Sequence, residues 1–225
     1  MILSSLQDYD PAGPTPKLDL LDRWLLSRLQ NLIKTSTDAF ESFQFSVATE
    51  STRNFTWHDL CDQYLEAAKY RLYADTAQDS ESRRAAQFTL LHTLDAVLRL
   101  LAPVCPHITD ALYRELWSGR AKTKSIHSGT WPAANGELID EESEKGGSII
   151  VHVISEIRRI KSEKRLSMKA PIRKLLVESE EEAAHVIHDH VDAIRHIAIV
   201  GQIDIVPMKR ETDKEEAKLR LSAEF

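Results

Sequence analysis

Three clusters in this chain have residue types and spacings that chemistry can use. His185, His188 and His190 stand with Asp189 and Asp192, and the i,i+3 spacing puts His185 and His188 on one helical face, as a metal site requires. No thiolate or supporting shell accompanies them, so a solvated histidine-rich face is the simpler reading and no metal is assigned. Asp59, Asp62 and Glu66 are acids at helical spacing, but a helix makes neighbours of any such set without general acid–base work. Cys61 lies among them and reads as a buried small apolar residue. Nucleophilic activity would need a basic partner, and the presence of His58 three residues away does not supply a contact. The sequence has no glycine-rich phosphate loop, Cys-x-x-Cys, nucleophile elbow or His-Glu-x-x-His. No catalytic residue is assigned.

The signal for binding is stronger. The net charge is −6, which disfavours a nucleic-acid partner only until it is resolved along the chain. Between Val151 and Leu175 eight Lys or Arg stand against two acids, whereas Glu178 to Asp192 holds six acids and no Lys or Arg. A basic patch beside an acidic one is a directional surface. Arg158, Arg159, Lys161, Lys164, Arg165, Lys169, Arg173 and Lys174 form a basic track able to neutralise phosphates. Trp57 and Tyr73 are aromatics suited to stacking on unpaired bases, and Lys69 and Arg71 lie close to Tyr73. The alternatives are a solvated charged face and a helical protein-interaction module, the latter motivated by the apolar stripe Ile150–Ile160. Residue chemistry alone leaves RNA binding and protein interaction both open.

The elements that must position these groups are mainly helices. Hydrophobic residues make up 42% of the 225 positions and charged residues 28%, which fits a folded core and argues against disorder. Only seven glycines are present, too few for a turn-rich fold. Residues 1–17, with Pro11, Gly13, Pro14 and Pro16, read as a linker, and an opening of that kind leads us to expect preceding chain. A first helix is expected over Leu18–Glu41, with Leu21, Trp24 or Leu25, Leu29 (or Arg28 flanking it), Leu32 and Ile33 at helical spacing, followed by a turn crowded with Phe40, Phe43 and Phe45. A second spans Ser46–Tyr73 with Ser46 as cap; Leu60, Tyr64, Ala67 or Ala68, and Leu72 face inward, and Asp62, Glu66, Lys69 and Tyr73 outward. A third covers Ser80–Leu101, capped by Asp79 or Ser80. Pro103 ends it, and Pro106 opens a fourth at His107–Trp117.

Four such helices with short connections make an antiparallel bundle over residues 18–137, closed by an irregular crossing from 118 that holds Gly119, Gly129, Pro132 and Gly136. Residues 138–225 are expected to form a long basic helix, Ile139–Met168, and a small α+β subdomain. Gly146-Gly147 weakens that helix by roughly 2 kcal/mol, and Pro171 stops it. Strands are expected at Ile172–Glu178, Ile203–Val206 and Lys218–Ser222, and helices at Glu180–Asp189 and Val191–Ile197. No apolar run reaches the roughly 20 residues of a membrane span, so no membrane partner is expected. Two cysteines without a disulfide framework suit a reducing cytoplasm.

Several motifs also carry a resemblance. Leu21-Asp-Arg-Trp-Leu-Leu-Ser-Arg-Leu29 resembles the first helix of the anticodon-binding domain of class I aminoacyl-tRNA synthetases. Phe55-x-Trp-x-x-x-Cys-Asp-x-Tyr-Leu-Glu66, with Lys69 and Arg71-Leu-Tyr73, is similar to its second. Leu98-Arg-Leu-Leu-Ala-Pro103-x-x-Pro106-His-Ile-Thr109 resembles the junction before the fourth, and Ser125-Ile126 with Trp131-Pro132 the exit. Ile154–Arg165 and the α+β tail resemble the segment C-terminal to the family's helical bundle. Cys61-Asp62 before Tyr64-Leu-Glu66, and His107 in place of a commoner Phe, resemble the valine-specific branch, with the isoleucine-specific branch as the alternative.

The resemblance implies an ATP- and magnesium-dependent parent enzyme that attaches valine to its tRNA, with this part holding the anticodon stem and loop. The implied partners are tRNA for valine and the catalytic and editing domains of the same parent chain. Both ATP signatures of the family are absent from this sequence; Ser167-Met168-Lys169 only superficially resembles one of them, in the wrong order. No cofactor is therefore expected in this part, and no activity from it alone. The tRNA-contact candidates are Trp57, Lys69, Arg71, Tyr73, Arg158, Lys161, Lys164, Arg165 and Lys169.

Overall fold

The computed structural model describes residues 2–73, 80–118, 125–208 and 219–225. It falls into two compact units, residues 1–144 and 145–225. The fold is mainly α, with a three-stranded sheet confined to the second unit.

In the first unit, α1 (Ile2–Ser5) opens a segment that is docked rather than free, unlike the linker expected over residues 1–17. Leu6 and Tyr9 are buried, Gln87 Nε2 donates to the Ser5 carbonyl (2.8 Å), and Arg83 pairs with Asp8. Pro11, Pro14 and Pro16 exclude a helix after Asp10, but Leu6 and Tyr9 precede them and are able to pack.

Helix α2 (Leu20–Glu41) buries Leu21, Trp24, Leu25, Leu29, Leu32 and Ile33, as its periodicity requires. Asp19 caps it in a reciprocal box with Asp22. The second expected helix is three consecutive pieces: α3 (Phe45–Asn54), an 11-residue π-helix (Phe55–Leu65) and α4 (Glu66–Leu72). Its N-cap is Gln44, so Ser46 lies inside the first turn instead of capping it. Phe55, Leu60 and Leu65 are all buried, a five-residue spacing that the wider π turn brings onto one face. Helices α5 (Ser80–Leu101) and α6 (Pro106–Leu116) follow, with Pro106 in the first turn of α6. Leu90, Leu91, Val97 and Leu98 are buried, while Leu94 and Leu101 are half-buried. Asp79, Gly119 and Lys218 lie outside the described residues.

The crossing then returns along α2. Trp131 Nε1 donates to Thr37 Oγ1 (2.9 Å), the Asn135 amide to Gln30 Oε1 (2.9 Å), and the Asp140 amide to Ser27 Oγ (2.9 Å), climbing α2 from its end toward its start.

Helix α7 (Glu141–Glu163) is shorter at both ends than expected, and the boundary between units falls inside it. Asp140 caps it by accepting from the Ser143 amide (2.8 Å) and hydroxyl (2.6 Å), and the helix continues through Gly146-Gly147. It ends five residues before Met168 because Arg165 takes a left-handed conformation (φ 55°). In the second unit β1 (Ile172–Ser179) is the central strand. It pairs in parallel with β2 (Val200–Pro207) and antiparallel with β3 (Leu219–Glu224). Helices α8 (Glu181–Asp189) and α9 (Val191–Ala198) make the crossover from β1 to β2 that a parallel pair needs. Ile172, Leu175 and Val177 of β1 and Ile187 and Ile194 of the crossover are buried.

Candidate nucleic-acid interface

The nine predicted contact residues separate into those that reach solvent and those that do not. Arg71 does not: it is 4% exposed and lies in a network that joins the first two of the motifs carrying the resemblance. Its guanidinium donates to Asp22 Oδ1 (2.8 Å), Asp22 Oδ2 (2.9 Å), Asp19 Oδ2 (2.7 Å) and Tyr64 Oη (3.3 Å), and Tyr64 Oη donates to Asp22 Oδ1 (2.5 Å). Burial alone would depress the guanidinium pKa, but Tyr64, Asp22 and Asp19 outweigh it and keep the group charged. The Tyr64 phenol is pushed well above its ordinary value, first by burial and then by Asp22. Arg71 is thus a correction to the predicted interface. It fastens the end of α4 to the start of α2 and has no face left for RNA.

The other three candidates of this unit reach water. Trp57 is 65% exposed on the π-helix and Tyr73 58% exposed at the end of α4. Lys69 is half-buried and paired with Glu66. Beside the π-helix an open polar hollow of about 490 Å³ is lined by Arg28, Asn31, Ser51, Asn54, His58 and Asp59, among others. Arg28 pairs with Asp59 (2.8 Å) and lies over the Trp24 ring (5.5 Å). Burial raises the Asp59 carboxyl, opposed by Arg28.

A further aromatic group was visible in the sequence only as a crowded turn. Phe43 is 80% exposed with φ 59°, its ring edge-on to Phe45 (6.1 Å), and Phe40 bridges Phe45 (5.7 Å) to Trp131 (5.1 Å). A phenylalanine at the left-handed position that glycine usually takes after a helix was the signal that could have found it.

In the second unit three residues of the basic track are already in ion pairs. Arg159 sits between Glu156 (2.8 Å) and Glu163 (2.5 Å), Arg173 pairs with Glu224 (3.1 Å), and Lys174 with Asp204 (2.7 Å). Arg158 is half-buried. Lys161, predicted as part of the basic track and as a direct contact, is 1% exposed and is the second correction: its Nζ donates to the Met168 carbonyl (3.0 Å) and the Ala198 carbonyl (2.9 Å). Burial pulls its pKa below the ordinary lysine value. Lys164, Arg165 and Lys169 are exposed, and none has a carboxylate partner among the described residues. Lys164 Nζ donates to the Ala223 carbonyl (3.3 Å) and lies over the Phe225 ring (4.6 Å). The predicted track is thereby narrowed to the loop that joins α7 to β1.

The candidates for chemistry resolve differently. Asp59 and Glu66 are in ion pairs with Arg28 and Lys69, and Asp62 lies 3.3 Å from the His58 ring nitrogen. Cys61 is half-buried, its thiol pushed up by burial and by Asp62 and Glu66, so the nucleophilic thiolate is disfavoured. His190 Nδ1 lies 2.9 Å from the Val186 carbonyl, and among the described residues no three metal-ligating side chains come together. The acidic run beginning at Glu180 occupies the start of α8, where carboxylates complement the helix dipole. No helix among the described residues is long and apolar enough to cross a membrane.

Residues 22–176 match the family described as anticodon-binding domain of tRNA ligase. The chain is 40% identical over 199 residues to a valine–tRNA ligase of Methanothermobacter thermautotrophicus, covering 88% of this chain and 22% of that protein. It is 40% identical over 172 residues to that of Thermococcus kodakarensis (76% and 19%) and 38% identical over 183 residues to that of Methanosarcina acetivorans (80% and 20%). The chain therefore spans about a fifth of the length of these relatives. The match takes in α2, the π-helix, α7 and most of β1, and with it the chain belongs to the anticodon-binding domain family of tRNA ligases.

Proposed function

We propose that this chain binds the anticodon stem and loop of the tRNA for valine, as one part of a valine–tRNA ligase. The observation that carries the reading is the 40% identity to a valine–tRNA ligase along 88% of the chain, through both the bundle and the basic loop. Exposed Lys164, Arg165 and Lys169 supply charge for backbone phosphates, and exposed Trp57 and Tyr73 supply ring faces for unpaired bases. The polar hollow beside the π-helix is large enough for a base turned out of the loop. The apolar stripe that motivated an interaction module is internal, with Ile150, Val153, Ile154 and Ile157 buried.

In the whole ligase, ATP and magnesium would serve activation of valine in the catalytic domain, with an editing domain in the same chain and the cytoplasm as the place of work. This part would act by positioning: binding energy far from the reacting atoms orients the acceptor end. The test is binding of tRNA for valine, for isoleucine and for an unrelated amino acid across a salt series. Salt-dependent binding that favours the valine tRNA is expected. Equal affinity for all three would remove the valine assignment, and binding insensitive to salt would remove the phosphate contacts.

A further inference from the structure

Lys161 is the residue whose surroundings ask most of an explanation. It is a buried ammonium with no carboxylate partner among the described residues, held by two backbone carbonyls. One is Met168, inside the loop after α7. The other is Ala198, the last residue of α9, where the helix leaves carbonyls unpaired and its dipole favours a cation. Next to Ala198, Ile199 is left-handed (φ 57°), a costly conformation for a β-branched residue. The side chain thus ties the end of one helix to the loop leaving another.

That loop is ordered by its own backbone. The Leu166 amide donates to the Lys161 carbonyl (2.8 Å) and the Arg165 amide to Ser162 (2.9 Å), the paired bonds of a helix that ends on a left-handed residue. Glycine is the usual occupant of that position because it has no Cβ to clash. Here it is Arg165, exposed. Further on, the Ala170 amide donates to the Ser167 carbonyl (2.9 Å) and the Lys169 amide to Ser167 Oγ (3.2 Å). A long cation held in a strained backbone position is a feature that packing alone does not require.

We propose that Lys161 is a positioning residue for RNA binding: its buried ammonium fixes the 164–169 loop so that Arg165 and Lys169 are presented together to the phosphate backbone. This rests on the reading of the chain as an anticodon-stem binder. It assigns Lys161 an indirect role in place of the direct contact expected from sequence. Because the Lys161 charge is matched only by carbonyl dipoles, it also adds to the positive field of the loop.

The test uses the whole chain and the tRNA for valine, at a temperature where every variant is folded. Lys161→Met is expected to weaken binding about tenfold and to lower the slope of log affinity against log salt by about one, the loss of roughly one phosphate contact. Lys161→Arg, which keeps a cation able to donate to both carbonyls, should bind within about twofold of the parent, the spread of such context effects being of that order. Val177→Ala, a core change in β1, should melt lower yet bind RNA as the parent does. Lys161→Met behaving like Val177→Ala would overturn the positioning role.

Arg165→Glu with Lys169→Glu separates the two levels. If that pair weakens binding and Lys161→Met does not, the loop contacts RNA without needing Lys161, and the positioning role is overturned. If neither matters, the loop is not an RNA surface. Should Lys161→Met fail to fold, hydrogen exchange on the parent decides: slow exchange at Arg165, Leu166 and Ala170 is expected, and exchange at the unprotected rate would overturn the inference.

Discussion

Arg71 and Lys161 are long cations taken almost entirely out of water, at 4% and 1% exposure, and the two units accommodate them by opposite means. In the first unit Arg71 meets two aspartates and a tyrosine, so the charge is cancelled where it is buried. In the second, Lys161 meets only carbonyl oxygens, so the geometry is satisfied but the charge is not cancelled. The first arrangement suits a junction that has only to hold, because either partner alone would be a stranded charge. The second leaves a positive potential beneath a loop whose own cations are exposed, and so suits a surface that attracts an anion. A residue of the right type at the right spacing can serve an interface without touching its ligand.

The largest expected effect breaks the first arrangement. Arg71→Ala strands Asp22, which is fully buried, and should cost about 3–5 kcal/mol in thermal or denaturant unfolding. RNA affinity of the folded protein should not change. Lys161→Met leaves two carbonyls unsatisfied and should cost about 1–3 kcal/mol in the same measurement, while also weakening RNA binding. If the two variants altered RNA affinity equally, the contrast between the units would be lost.

Arg165→Gly sharpens the comparison from the other side. Relief of the left-handed strain at φ 55° should stabilise the fold by about 1 kcal/mol, partly offset by the flexibility of glycine in the unfolded chain. The same change should lower the salt slope of RNA binding by about one. Greater stability with unchanged binding would show that this arginine has no part in recognition.

The first unit carries an acid-sensitive contact of its own. Asp110 accepts from the Ser125 hydroxyl (2.7 Å) and the Ile126 amide (2.9 Å), and these bonds, with Arg114, lower its pKa from 3.8 to about 2. The folded value lies below the unfolded one, so the stabilisation is present above about pH 4 and fades as pH falls toward 2. Ser125→Ala should therefore move acid unfolding of this unit to higher pH, as followed by tryptophan fluorescence. The smallest effect is kinetic: exposed Cys105 should be alkylated before half-buried Cys61, whose thiol is pushed up.

The helices and strands were legible because one-sided burial leaves a periodic trace, as in the Leu21–Ile33 run of α2 or the alternation of β1. Charge hid what periodicity held. Lys161 comes four residues after the buried Ile157, and Arg71 seven after Tyr64, so both lay on inward faces by spacing. Their charge led to their being read as surface. Partners that bury them come from distant positions, Asp19, Asp22 and Ala198, which no local pattern could pair. The π-helix was illegible for a related reason: Leu60, Tyr64 and Ala67 fit the ordinary α pitch, and the five-residue recurrence of Phe55, Leu60 and Leu65 stands out only once the packing against α2 is known. The Arg28–Asp59 bridge shows part of that packing.

The most direct test of the account is the salt dependence of binding to the tRNA for valine, compared between the parent chain and Arg165→Glu with Lys169→Glu. Loss of two phosphate contacts should lower the slope of log affinity against log salt by about two. An unchanged slope would contradict the claim that the loop after α7 holds RNA.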